Sequence, residues 1–136
     1  MKTARALTVA VVVGCAASPA LAAGYDGSAP FSCEPTEVVS CTPTAGCEKE
    51  SAESVNLPPT LTFEIAANKI SGVRPSGEPL ATAIDNVRQL EDDVALQGVE
   101  GHIVWSITVG KASGEMALAA MGDGVGYIAF GTCKSP

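Results

Sequence analysis

Five cysteines and one histidine have the widest chemical range in this chain. Four of the cysteines, Cys33, Cys41, Cys47 and Cys133, fall in C-x7-C and C-x5-C spacings followed by a long gap. Neither spacing is that of a structural zinc site. An even set of cysteines in a small chain with an export leader reads instead as two disulfides. Four cysteines allow three connectivities. The favoured one closes Cys41 to Cys47 over Thr42-Pro43-Thr44-Ala45-Gly46 and joins Cys33 to Cys133, the first strand to the last. In the chain-entropy picture a loop that long stabilises by roughly 4–5 kcal/mol.

The other candidates for chemistry are sparse. His102 is the single histidine, and no G-x-S-x-G nucleophile motif accompanies it, so it reads as a solvent-facing residue at a strand start. One histidine with the cysteines paired leaves no ligand set for catalytic zinc or haem, and no G-x-x-x-x-G-K-[ST] loop offers a phosphate site. No metal, cofactor or catalytic residue is expected. Glu91-Asp92-Asp93 is the densest acidic cluster. Calcium or a glycosidase carboxylate pair are its chemical options, but EF-hand spacing is missing and a solvated turn is the favoured reading. Asp123, between glycines, reads as a hairpin residue. Trp105 could stack on a ligand, but apolar neighbours at period two place it in the core.

The N-terminus reads as an export signal over residues 1–22. Lys2 and Arg5 form a positive start, Leu7 to Val13 a short apolar run, and Ala20-Leu21-Ala22 a small-residue cleavage site. The run is shorter than the roughly 20 residues a spanning helix needs. Cleavage after Ala22 is favoured. The competing route is lipidation at Cys15, because Val12-Val13-Gly14-Cys15 looks like a bacterial lipobox and would give a membrane anchor without a span. Either route predicts a periplasmic or secreted protein. Removing the leader takes the net charge from −7 to −9. Such a chain repels nucleic acid and anionic surfaces, and any partner favoured by charge is basic.

The elements that would position these residues are strands. Residues 23–30 are small and polar and predict a disordered N-terminus, leaving one all-β domain over 31–136. An irregular first strand is expected over 31–40, and the charged stretch 48–56 is expected as a connecting loop. Leu61, Phe63 and Ile65 alternate with polar residues, Ala67-Asn68 reads as a turn, and residues 69–73 as a return strand. Residues 80–90 alternate poorly, a pattern compatible with one strand carrying a bulge or with a short helix, and the strand is the favoured reading. The clearest strand is 102–109, with Ile103, Trp105, Ile107 and Val109 on one face. Gly110 to Gly114 and Gly122-Asp123-Gly124 then turn the chain into two further strands. About eight strands at this spacing predict a single small antiparallel meander, closed as a barrel or folded as a sandwich.

Leu57-Pro58-Pro59, Leu96-Gln97-Gly98, Trp105-Ser106-Ile107-Thr108-Val109, Ser113-Gly114-Glu115-Met116 and Phe130-Gly131-Thr132-Cys133 together resemble a group of small exported proteobacterial proteins of unknown function. That resemblance covers essentially the whole domain. It implies a fold and no chemistry. A looser similarity is to periplasmic inhibitors of c-type lysozyme, through Phe31-Ser32-Cys33, the C-terminal Cys133 and the partial motif Ser71-Gly72-Val73-Arg74. It implies a partner loop around Ser71 to Ser76, although Pro75 stands where that family has a tyrosine. The expected role is a non-enzymatic binding domain of the cell envelope, for a protein or a ligand. The alternative is an inhibitor of a basic hydrolase such as c-type lysozyme. A ligand-binding barrel would contain an apolar cavity of roughly 300 Å³ or more.

Overall fold

The computed structural model describes residues 24–135. The leader and Cys15 lie outside them. Ten strands follow in chain order: β1 (Phe31–Thr42), β2 (Gly46–Glu50), β3 (Leu61–Glu64), β4 (Lys69–Val73), β5 (Pro79–Ala83), β6 (Asn86–Gln89), β7 (Asp93–Glu100), β8 (Ile103–Gly110), β9 (Glu115–Gly122) and β10 (Val125–Lys134). All pairings are antiparallel. The order across the sheet is β5-β4-β3-β1-β10-β9-β8-β7-β6, with β2 paired to β1 off this path. The all-β expectation holds, as one sheet curled into a half-barrel and not as a two-sheet sandwich. No helix among the described residues is long and apolar enough to cross a membrane.

The two edges of the sheet are brought together by the chain itself. β5 and β6 are consecutive, joined only by Ile84 and Asp85. At this corner the Ile84 N–H donates to Asn68 O (2.9 Å) on the β4 side, and the Asp85 N–H donates to Gln97 O (2.9 Å) on β7. The single bulged strand expected over 80–90 is therefore two short strands that change partner halfway. The poor alternation there reflects a change of neighbour, since each half obeys the parity of a different strand. Gly98 on β7 permits the close approach. A Cβ there would stand 2.5 Å from Ala83 O and 2.3 Å from Trp105 Cζ2.

Both disulfides form as expected, and each links directly opposed residues. Cys33 pairs Cys133 across β1 and β10, and Cys41 pairs Cys47 across β1 and β2. The stretch expected as a loop over 48–56 begins instead as β2, whose residues pair with Val38–Thr42 of β1. Its polarity follows from exposure, because β2 is a flap outside the curled sheet with little to bury. Residues 51–57 then fold into a strap. Ser51 and Ser54 exchange N–H to Oγ hydrogen bonds (3.2 and 3.0 Å), and the Leu57 N–H donates to Ala52 O (2.8 Å).

Residues 24–30, expected to be disordered, are tied to one end of the sheet. The Tyr25 N–H donates to Lys111 O (3.1 Å) and its hydroxyl to Cys133 O (3.0 Å). Its ring meets Phe31 edge-on at 5.5 Å, and Phe31 stacks on Phe63 at 5.0 Å. Gly114, at φ 69°, leaves room for that ring, since a Cβ would come within 2.7 Å of it. Further out, Gln89 Nε2 donates to Asp26 O (2.8 Å), and hydrogen bonds from Ser28 hold the Asp26 carboxyl below its usual pKa. One aromatic residue in a polar segment thus suffices to anchor it. Tyr25→Phe should lower stability by about 1 kcal/mol through loss of the hydroxyl bond. The urea midpoint of the purified domain measures this.

Candidate functional site

The inward positions of the strands follow period-two parity: Leu61, Ile70, Leu80, Ile107 and Leu118 all point into the sheet and are buried. At the end where Tyr25, Phe31 and Phe63 lie, aromatic rings fill the interior. Toward the other end the inward positions shrink to Ala120 and Ala129, and a cavity of about 250 Å³ remains. This is slightly below the roughly 300 Å³ at which ordinary ligand pockets begin. It is well above the roughly 150 Å³ apolar cavity that accommodates benzene.

Two of the polar side chains that line this space are buried, and they are hydrogen-bonded to each other. Trp105 Nε1–H donates to Thr82 Oγ1 (3.2 Å), and the Thr82 hydroxyl donates to Val99 O (3.3 Å). The second of these bonds also ties β5 to β7. Trp105 is only 6% exposed, so the core position expected from its alternation is correct, and it also lines the cavity. Among the described residues no buried side-chain polar atom lacks a partner. Both side-chain donors of the deep wall, the Trp105 N–H and the Thr82 O–H, are therefore already used, and a carboxylate inserted there would be desolvated without a donor.

The mouth is built differently. Its partly exposed lining includes Val55, Asn56 and Leu57 of the strap, with Arg74, Ile103 and Tyr127. Arg74 Nη1 donates to Asn56 O (3.2 Å), while Nη2 stands 3.8 Å from Glu100 Oε1. The Ser76 N–H donates to Asn56 Oδ1 (3.2 Å), the Arg74 N–H to Glu78 O (2.9 Å) and the Gly77 N–H to Arg74 O (2.8 Å). The strap and the 74–78 turn are thus hydrogen-bonded into one rim.

Of the segment singled out in the sequence, only Arg74 reaches the mouth. Ser71, Gly72 and Val73 belong to β4, paired with β3 on one side and β5 on the other, and are not a loop. The exposed turn starts at Arg74. Thr82, Asn56, Glu100 and Tyr127 were not singled out. Thr82 alone carries a local signal, a polar residue at an inward position between two alanines. The others meet only through the curl of the sheet.

The remaining candidates lie apart. His102 Nε2 and Asp123 Oδ2 meet between the turns of two hairpins, with 71% and 72% of their side chains in solvent. Glu91 and Asp92 lie in the turn before β7, where the Lys111 N–H donates to Asp92 O (2.8 Å) and its ammonium donates to Leu90 O. No group of three or more His, Cys, Asp or Glu side chains converges among the described residues.

The outer face of β7–β10 forms a second surface. Its rows run Val99–Val104–Met121, Gln97–Ser106–Ala119–Ile128 and Ala95–Thr108–Ala117–Phe130. None of these side chains is charged, and Val99, Val104, Met121, Ile128 and Phe130 are exposed. No family model, no curated protein and no solved structure matches the chain.

Proposed function

We propose that the chain is a non-enzymatic binding domain, exported to an oxidising compartment, whose barrel end takes up a small apolar guest. The observation that carries this reading is the cavity of about 250 Å³, whose two buried polar side chains are hydrogen-bonded to each other. Support for export is the leader pattern together with two disulfides, bonds that persist outside reducing compartments. Trp105 is the only tryptophan and lines the cavity, so it reports occupancy directly. Titrating the oxidised domain with 1-decanol should shift or quench its emission saturably, at one guest per chain, with a sub-millimolar Kd. Emission unchanged up to the solubility limit of decanol overturns the reading.

The 74–78 turn favours a second reading, inhibition of a basic hydrolase. It is exposed, hydrogen-bonded at both ends, and belongs to a chain of net charge −7 with its leader. Such an inhibitor reduces c-type lysozyme activity at stoichiometric amounts. Unchanged lysozyme activity removes that reading.

A further inference from the structure

Resting on the apolar-guest reading, we infer that the guest is a medium-length hydrocarbon chain ending in a carboxylate, and that Arg74 reads the carboxylate at the mouth. The chain length follows from volume. Scaling from the roughly 150 Å³ cavity that holds the six carbons of benzene, 250 Å³ holds about ten carbons. The orientation follows from where hydrogen bonds are still available. Deep in the cavity the Trp105 N–H is used on Thr82 and the Thr82 O–H on Val99, so a carboxylate finds no free side-chain donor there and the hydrocarbon end takes that place.

The sign of the head group follows from the mouth. Among the described residues Arg74 is the only basic side chain lining the cavity. A guanidinium offers five N–H donors in a planar fork suited to a carboxylate. Here one hydrogen bond is made, to Asn56 O at 3.2 Å, and the carboxylate of Glu100 stands at 3.8 Å, beyond hydrogen-bond length. Arg74 is the held partner: its side chain is 25% exposed and tied to the strap. Glu100 is the loose one, at 39% exposure and with no hydrogen bond to its carboxylate among the described residues. A guest that displaces the loose partner and keeps the held one must itself be an anion. The negative charge of the rest of the chain opposes this only weakly, since salt screens charges beyond about 8 Å at physiological ionic strength.

The test compares decanoate, 1-decanol and decylammonium by Trp105 emission at neutral pH, on the wild type, Arg74→Gln and Glu100→Gln. Decanoate should bind most tightly. Arg74→Gln should weaken decanoate about tenfold, the loss of one charge-assisted pair, and leave decanol unchanged. Glu100→Gln, which keeps the rim intact if Arg74→Gln does not fold, should tighten decanoate several-fold. Decanoate binding equal to decanol, or insensitive to both substitutions, overturns the head-group assignment while the cavity reading stands. Tighter binding of decylammonium overturns it with the opposite sign. If none of the three compounds moves the emission, the apolar-guest reading itself fails.

Discussion

Replacing Cys33 and Cys133 together by alanine is expected to destabilise the domain by about 4–5 kcal/mol and to lower its Tm by roughly 20–30 °C. The bridge spans 100 residues of sequence and holds β1 beside β10, the pairing that joins the start of the chain to its end. Its effect comes mainly from the unfolded chain, which loses the freedom to separate those ends. The pairing itself is also non-local, so without the bridge it must be found against loop-closure entropy. The bridge Cys41–Cys47 is the internal control. It spans 6 residues and fastens the β2 flap, so its removal should destabilise by about 2 kcal/mol or less. Thermal melts of the two double-alanine variants, followed by circular dichroism, measure the contrast. Equal losses, or a loss below 1 kcal/mol for Cys33/Cys133, would contradict the role given to the clasp.

Phe63→Ala is expected to cost about 3–5 kcal/mol. Phe63 has no exposed surface and stacks on Phe31 at an interplanar angle of 6°. The two are direct cross-strand partners on β1 and β3, and Tyr25 closes against Phe31 from outside. Removing the ring deletes buried apolar area and leaves a void that the pinned neighbours cannot fill. Phe63 does not line the 250 Å³ cavity at the other end. The variant should therefore lose stability in urea while its affinity for decanol, measured well below the unfolding transition, changes less than twofold. Loss of both together would mean that the two ends of the interior are one unit and not separate compartments.

Much of this architecture is legible in the order of residues. Ile103 to Val109 alternate cleanly because β8 lies mid-sheet with one face on the core, so every second side chain is buried. The glycine-bearing turns that follow set the hairpins of β8, β9 and β10. Cys33 and Cys133 are readable as partners because the four cysteines among the described residues allow only three pairings. Other parts are opaque for definite reasons. β5 and β6 change neighbours at Ile84-Asp85, and a parity rule sees only a broken pattern there. β2 buries nothing, so no apolar signal marks it. Tyr25 anchors its segment through partners at Lys111 and Cys133, far away in sequence. The mouth is the least visible. Asn56, Arg74 and Glu100 come from three separate connections, and their meeting depends on how the sheet curls.

The most direct measurement is a methyl-detected NMR titration of the oxidised domain with 1-decanol. Occupancy of the interior should perturb the methyls of Ile70, Leu80, Ile107 and Leu118, which line the cavity. Those of Val104, Met121 and Ile128, on the outer face of the sheet, should stay in place. Shifts confined to the outer-face methyls, with the interior set unmoved, would show that the interior takes no guest and that the exposed apolar rows are where this protein binds.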